Sequence, residues 1–160
     1  MKIGLLILAL LLGGCSSGSK PATSPFSLTI KADKTINPSA SNTANPVIVR
    51  MYQLTDIQTF EQTPFIDLYE KDSQVLGANL ISKQILPVIV PNSDISKVIE
   101  INKSSQYVAV LVEFVNFKGS ETKSYSAVPI DEEQSLRLRI SQSKVSLETV
   151  TPESSWWNIF

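Results

Sequence analysis

Residues 107–117, with the sequence YVAVLVEFVNF, carry a nearly unbroken run of apolar side chains. Because neighbouring residues of a strand point to opposite faces, a strand formed here would bury both of its faces. Such a strand belongs in the interior of a layered protein. We therefore predict that this segment is the central strand of a mainly β, two-layer β-sandwich.

Glu113 is the single charge in this run. An unpaired carboxylate among apolar side chains would be costly, so Glu113 either pairs with a basic residue on an adjacent strand or faces outward near an edge. Arg50 is the candidate partner. It lies in residues 46–54 (PVIVRMYQL), whose β-branched and aromatic composition predicts a second strand.

Further short strands are predicted on either side of these two. From Phe26, apolar and polar residues alternate, which places Phe26, Leu28 and Ile30 on one buried face. Other strands are predicted at residues 97–101, 123–128, 136–140 and 144–150, with residues 85–90 as a candidate strand ended by Pro91 and residues 74–84 left ambiguous. About eight short strands separated by turn signals are typical of a sandwich.

Residues 56–70 have a different pattern, which predicts a short helical insertion between strands. Asp56 is suited to cap a helix over residues 57–60, and Thr63 followed by Pro64 is typical of a second helix start. After it, helical spacing places three residues on one face: Phe65, Leu68 and Tyr69.

Composition argues against several classes of function. The chain has 14 basic and 15 acidic residues, no histidine and one cysteine. This balance disfavours nucleic-acid binding, and the lack of histidine disfavours zinc sites and histidine-based catalysis. Acidic groups remain at Asp67, Glu70 and Asp72 and at residues 131–133, but none has the spacing of a calcium loop. We therefore predict a protein that is not an enzyme, with no catalytic residues, no metal and no small-molecule substrate.

The first residues have the pattern of a secretory signal. Lys2 precedes an aliphatic run at residues 3–12 that is too short to span a bilayer. Residues 12–15 (LGGC) resemble the bacterial lipobox, in which cleavage leaves the cysteine first and lipid is attached to it. We therefore predict a signal peptide at residues 1–14, lipidation of Cys15 by diacylglycerol and an N-acyl chain, and no other cofactor. Ser16, which is not the aspartate that favours inner-membrane retention, indicates the outer membrane, facing the periplasm.

Residues 15–25 are polar with glycine and proline, which predicts a lipidated flexible tether before a domain at residues 26–160. Two other segments each allow two interpretations. Residues 35–45 are either a simple turn or a recognition loop to which Ile36, Asn37 and Pro38 contribute. The apolar residues 156–160, with Trp156 and Trp157, either fold back over the sandwich or dock on a protein or on lipid.

Together these residues resemble the TssJ family, the outer-membrane lipoproteins of type VI secretion systems. The most specific part is the run from Val49 to Leu54, which precedes a phenylalanine-containing helix; Phe60 and Phe65 to Tyr69 follow in the family's order. The Ile36-Asn37-Pro38 loop and the strand Tyr107 to Val110 with Glu113 and Phe114 also resemble the family. At Ser124-Tyr125-Ser126 the sequence departs from the family's frequent aromatic-arginine pair.

The resemblance implies a transthyretin-like sandwich and a structural role. It implies a lipoprotein that binds the periplasmic C-terminal region of the inner-membrane TssM component and so anchors the secretion apparatus. The family's contact loop carries over to Ile36, Asn37, Pro38 and Ser39. The alternatives are another lipoprotein binding module, pilotin-like or carbohydrate-binding, and a periplasmic hydrolase that uses carboxylates.

Overall fold

The computed structural model describes residues 22–152 and shows a sandwich of two four-stranded sheets, as predicted. In chain order the strands are β1 (Thr23–Ala32), β2 (Val49–Leu54), β3 (Leu80–Ile85), β4 (Asp94–Asn102), β5 (Tyr107–Val112), β6 (Lys123–Ala127), β7 (Ser135–Ser141) and β8 (Lys144–Val150). Sheet 1 has the order β4-β1-β7-β8, and sheet 2 has the order β3-β2-β5-β6.

The predicted signal peptide, Cys15 and the Trp156–Trp157 segment lie outside the described residues. Within residues 22–152, none of the helices combines the length and the apolar character needed to cross a bilayer.

Strand β5 is buried on both faces, as its sequence predicts. Val108, Val110 and Val112 point into the core between the sheets, and Ala109 and Leu111 point to the outer side of sheet 2. The strand is shorter than predicted: it ends at Val112 and does not continue to residue 117. After the strand, Phe114 packs in the core between the sheets with 4% exposure. The apolar pattern that predicted a longer strand therefore comes partly from a core residue outside the strand.

The first strand confirms the predicted face and corrects the predicted boundary. Phe26, Leu28 and Ile30 are buried. However, β1 begins at Thr23, which pairs with Asn102, so three residues that we assigned to the tether lie in sheet 1. Pro25 is tolerated there because β7 pairs with β1 only from Leu28 onward, which leaves one side of β1 free at the proline.

The predicted helical insertion covers the outer side of sheet 2. It consists of α1 (Gln58–Gln62), α2 (Phe65–Leu76) and a 3₁₀ turn at Gly77–Asn79. Side chains from the insertion and from the outer sides of β2 and β5 form a second apolar core, whose buried members are Tyr52, Leu54, Ile57, Phe60, Leu68, Leu76, Ala109 and Leu111.

Local predictions around the insertion are partly wrong. Asp56 does accept a hydrogen bond from the Gln58 N–H, at 2.9 Å. Thr63 does not cap α2, because its hydroxyl donates to the Thr59 carbonyl at 2.6 Å. The ambiguous residues 74–84 contain the end of α2, the 3₁₀ turn and most of β3.

The candidate strand at residues 85–90 is also wrong as an element. Strand β3 ends at Ile85. Beyond it, the Leu86 N–H donates to the Val49 carbonyl at 2.9 Å, and Ile89 forms an isolated bridge with Val47. Pro87 lies in the middle of this segment and has no N–H to donate, so a regular ladder cannot continue through it.

Strands β6 and β8 join the two sheets along one side through serine side chains. The Ser124 hydroxyl accepts from the Leu147 N–H at 2.9 Å, and the Ser126 hydroxyl accepts from the Thr149 N–H at 3.0 Å. Two backbone N–H groups on the edge strand β8 are thereby satisfied. The Ser124-Tyr125-Ser126 sequence, which departs from the family pattern, therefore has a structural role here.

The strand directions give the sandwich two distinct ends. Strand β1 is parallel to β7 and β8 is antiparallel to β7, so Thr23 and Val150 lie at one end, which we call the proximal end. The opposite, distal end carries the β1–β2 loop (residues 33–46), the β5–β6 connection (residues 113–122) and the β7–β8 turn.

A buried amide joins the two sheets near the proximal end. Gln53 of β2 has only 7% exposure. Its Nε2 donates to the Glu100 carbonyl at 2.8 Å, and its Oε1 accepts from the Asn102 N–H at 2.8 Å. The backbone of β4, an edge strand of sheet 1, is therefore tied to a side chain from sheet 2.

We expect Gln53→Met to lower the free energy of unfolding by about 2 kcal/mol, because methionine keeps the volume but leaves the Glu100 and Asn102 backbone groups unpaired. Urea unfolding followed by circular dichroism measures this. Gln84→Met on the exposed part of β3 is the matched control, with a change within about 0.5 kcal/mol. Equal losses in the two variants would contradict the role of Gln53.

Candidate functional site

The distal β1–β2 loop is held in place by two interior residues. Ile36 is fully buried, with 0% exposure, and belongs to the core between the sheets. Asn37 is also buried, with 3% exposure, and has a left-handed backbone with φ of 50°. Asparagine tolerates this conformation better than most residues, which gives a physical reason for its presence here.

Asn37 connects three separate segments of the distal end. Its Nδ2 donates to the Pro46 carbonyl at 2.8 Å, and its Oδ1 accepts from the Val115 N–H at 2.8 Å. Its backbone N–H donates to the Gln142 carbonyl at 2.7 Å. One residue therefore joins the end of its own loop, the β5–β6 connection and the β7–β8 turn.

The outer part of the loop is a tight turn at the surface. The Asn42 N–H donates to the Ser39 carbonyl at 2.9 Å, and the Ser39 N–H donates to the Thr43 carbonyl at 2.9 Å. Pro38 and Ser39 are partly exposed, and residues 40–43 are exposed. The four residues predicted for partner contact thus divide into two that fix the loop and two that reach the surface.

Several apolar side chains beside this loop are exposed to solvent. Ile48, Val88 and Val90 flank the buried Val47–Ile89 bridge and are 39%, 58% and 52% exposed. Val115, whose N–H binds Asn37, is 67% exposed. We call Ile48, Val88, Val90 and Val115 the distal apolar group; sequence reasoning missed it because strand residues were expected to be buried.

Sheet 2 and the helical insertion are linked by a partly buried cluster of charges. Arg50 Nε donates to Glu113 Oε1 at 2.7 Å, which confirms the predicted pairing. The same guanidinium reaches Asp72 Oδ2 at 3.3 Å and lies 4.9 Å from the centroid of the Tyr69 ring. Asp72 of α2, 5% exposed, also binds the Tyr52 hydroxyl at 3.0 Å and Lys83 Nζ at 2.8 Å.

These contacts stabilise the charged forms of the cluster. Burial alone would raise the pKa of Asp72, but hydrogen bonds from Lys83, Tyr52 and the Ser73 N–H outweigh it and lower the pKa to about 2. Burial, together with the neighbouring Asp72 charge, raises the pKa of the Tyr52 phenol. Burial alone would lower the pKa of the Arg50 guanidinium, but the hydrogen bond to Glu113 outweighs it and raises that pKa.

A second cation, Lys123 of β6, fixes the end of α1. Its Nζ donates to the carbonyls of Phe60, Glu61 and Thr63 at 3.1, 2.8 and 2.8 Å. These carbonyls come from the last turn of the helix and the residue after it, where unpaired carbonyls attract a cation. Burial lowers the pKa of Lys123.

The carboxylates that sequence reasoning considered for catalysis are occupied or dispersed. Asp72 binds Arg50 and Lys83, and Asp67 pairs with Lys71 at 2.9 Å. Asp131 accepts from the Glu133 and Gln134 N–H groups within its own exposed loop. Among residues 22–152, no group of three or more potential metal ligands is close enough to hold an ion.

Comparison with known proteins gives one family and a set of similar structures. A family model described as type VI secretion lipoprotein, VasD, EvfM, TssJ matches residues 24–143. No curated protein sequence matches the chain. The T6SS lipoprotein TssJ1 from Pseudomonas aeruginosa is similar in structure, with a TM-score of 0.73 and 15% identity over 81% of this chain and 98% of that one.

Two further structures share the fold. Lip from Serratia marcescens, a membrane-bound component of the type VI secretion system, has a TM-score of 0.69 and 20% identity, covering 81% of this chain and 98% of that one. A chain in the structure of the T6SS protein TssM C-terminal domain from EAEC has a TM-score of 0.62 and 18% identity, covering 79% and 98%.

The charge cluster predicts a pH-dependent stability. The pKa of Asp72 is about 2 in the folded state against an ordinary 3.8, so its stabilising effect is complete above about pH 4 and is lost as the pH falls to about 2. We expect Asp72→Asn to lower the free energy of unfolding by about 2 kcal/mol at neutral pH, and by progressively less toward pH 2.

Denaturant unfolding at a series of pH values measures this difference. Asp94→Asn is the matched control because Asp94 forms an exposed pair with Lys31, and its effect should stay within about 0.5 kcal/mol at every pH. A loss in Asp72→Asn that did not change with pH would contradict the assignment.

Proposed function

The chain belongs to the family of type VI secretion lipoproteins that includes TssJ, and from this premise we propose that it anchors a type VI secretion membrane complex to the outer membrane. In this proposal it faces the periplasm and binds the periplasmic C-terminal region of a TssM-type inner-membrane protein. The observation that carries the proposal is that the candidate contact loop and the start of β1 lie at opposite ends of the sandwich.

The proximal end suits attachment to a membrane. We propose that Cys15 carries the lipid, and only residues 16–22 separate it from β1. Seven residues span at most about 25 Å, so the domain would stay close to the outer membrane. Several acyl chains on one cysteine would make the attachment durable.

The distal end suits a protein partner. With the proximal end at the outer membrane, the β1–β2 loop points into the periplasm, the side from which an inner-membrane protein would approach. We propose that Pro38, Ser39 and the exposed turn after them contact the partner, while Ile36 and Asn37 hold the loop in shape. A loop fixed before binding loses little conformational entropy on association, which favours affinity.

The distal apolar group supports the same assignment. Two of its members lie beside contacts of Asn37. Ile48 is two residues after Pro46, whose carbonyl accepts from Asn37, and the Val115 N–H itself donates to Asn37 Oδ1. Exposed apolar side chains beside a polar loop are typical of a protein-interaction surface.

The other classes of function have weaker support. A carbohydrate-binding surface would offer aromatic rings to the sugar, but Phe65 is stacked between Tyr69 and Phe117, at 5.7 and 4.7 Å between centroids. A carboxylate hydrolase would need two carboxylates facing a substrate cleft, whereas Asp72 and Glu113 are bridged by Arg50.

We expect Ala40→Arg to weaken binding of a purified TssM-type periplasmic region by at least about tenfold, because a bulky charge at the tip of the turn would obstruct the contact. The matched control is Ser104→Arg, which places the same side chain in an exposed turn at the proximal end and should leave binding unchanged. Titration calorimetry gives both affinities. Unchanged binding by Ala40→Arg, or equal loss in both variants, would refute the loop assignment.

We expect Cys15→Ser to fold and to bind the same partner region with normal affinity, but to leave the membrane fraction and to abolish secretion. The reason is that the change removes only the lipid attachment atom, outside the described sandwich. Membrane fractionation and a secretion assay measure the two effects. Normal secretion by this variant would refute the anchoring role.

A further inference from the structure

The helical insertion leaves the distal part of the outer side of sheet 2 uncovered. Residues that alternate with core residues point away from the core, and five exposed aliphatic side chains do so here. Ile85, which lies opposite Arg50 in the β2–β3 ladder, is 62% exposed. It joins the four members of the distal apolar group, which neighbour the core residues Val47, Val49, Ile89 and Phe114.

Tyr69 of α2 lies at the border between the insertion and this uncovered area. The centroid of its ring is 4.9 Å from the Arg50 guanidinium carbon, and its backbone carbonyl accepts from Arg50 Nη1 at 2.9 Å. Phe65 stacks on the same ring at 5.7 Å, and Phe117 stacks on Phe65 at 4.7 Å. The ring is held in place while 43% of the residue stays exposed, so little conformational entropy would be lost on contact with a partner.

The exposed apolar side chains in this area form one surface, which we call the sheet 2 face. Its members are Ile48, Tyr69, Ile85, Val88, Val90 and Val115. Of the ten large apolar side chains that are exposed in residues 22–152, six belong to it. Single exposed apolar residues are normal on a protein surface, whereas a concentration of them on one side is typical of an interaction site.

The charged groups beneath the sheet 2 face neutralise one another. Arg50 pairs with Glu113 at 2.7 Å and with Asp72 at 3.3 Å, and Asp72 also binds Lys83 at 2.8 Å. Two cations therefore meet two carboxylates, and the face offers no net charge to a partner. The surface that complements it is apolar and uncharged, because a charge brought against it would lose its hydration without gaining a counter-ion.

The sheet 2 face continues directly into the candidate contact loop. Ile48 is two residues after Pro46, the end of that loop, and the Val115 N–H donates to Asn37 within it. The loop alone offers residues 38–43 to a partner. A stable interface takes about 20–30 residues from each side, so a partner seated on the loop has to cover adjoining surface as well.

We propose that the sheet 2 face binds an uncharged apolar patch of the TssM-type periplasmic region, with Tyr69 at the centre of the contact. The assignment rests on the proposed function and adds α2 and β3 to the surface that the partner covers. The contact is made through side chains, because Pro87 has no N–H to donate and interrupts the sheet edge where a partner strand would have to be added.

Titration calorimetry with the purified TssM-type periplasmic region tests the sheet 2 face. The unlipidated chain of residues 16–160 is used, since it retains every described strand and helix. We expect the dissociation constant to rise at least about tenfold in Tyr69→Ala and about fivefold in Ile85→Ser, because the apolar contact area is lost. Tyr69→Phe keeps the ring and should bind within about twofold of the wild type.

The matched control is Val98→Ser. Val98 lies on β4 of sheet 1 and is 63% exposed, close to the value for Ile85, so its loss removes a similar apolar surface from the other sheet. We expect this variant to bind like the wild type. An equal loss of affinity in Val98→Ser and Ile85→Ser overturns the assignment.

Salt and temperature test the chemistry of the partner surface. We expect the affinity to change by less than about threefold between about 0.05 and 0.5 M sodium chloride, because the sheet 2 face carries no net charge. A larger dependence on salt overturns the uncharged assignment. We also expect a negative heat-capacity change of binding that is smaller in magnitude in Tyr69→Ala, because less apolar surface is buried.

Other outcomes separate this assignment from the proposed function. Normal binding by Tyr69→Ala and Ile85→Ser, together with lost binding by Ala40→Arg, overturns the sheet 2 face and leaves the proposed function standing. No binding by the wild-type chain refutes the proposed function, and the sheet 2 face with it. Sedimentation of the chain alone tests a second copy as the occupant: a wild-type dimer that Ile85→Ser dissociates overturns the assignment.

Discussion

Strands β2 and β5 are buried on both faces, and the arrangement of the other elements follows from this constraint. Their inner faces pack against sheet 1, so their outer faces also need a cover. The chain supplies it with the short helices between β2 and β3, which bury Phe60 and Leu68 against Tyr52 and Leu111. A sandwich with both outer faces exposed to water would have polar residues at alternate positions of these strands.

The helical insertion is small and buries only a limited apolar area. Polar contacts therefore also hold it against sheet 2. Asp72 brings a carboxylate from α2 under the insertion, where Arg50, Tyr52 and Lys83 meet it. Lys123 of β6, the edge strand of sheet 2 opposite β3, binds the end of α1. A buried carboxylate is favourable only when its partners are all in place, so this cluster specifies one position for the insertion.

The sandwich has two ends with different features. The first strand begins and the last strand ends at the proximal end, because β1 is parallel to β7 and β7 is antiparallel to β8. At the distal end Asn37 fixes the β1–β2 loop from inside, and the distal apolar group lies beside it. In the proposed function, the strand length would set the distance between the membrane and the protein partner, and a rigid sandwich would transmit force between them.

The sequence by itself determined the fold class, the buried faces of β1 and β5 and the helical insertion, and it identified Arg50 as the candidate partner of Glu113. These predictions follow from the periodicity of apolar residues and from the cost of burying an unpaired charge. Both can be judged from the residues of one short segment. Only the tertiary structure decided that Ile36 and Asn37 lie inside, that Ser124 and Ser126 join the sheets, and that Gln53 binds β4. Each of these depends on hydrogen bonds or packing between residues far apart in the chain, and a single sequence carries no periodic signal for such contacts.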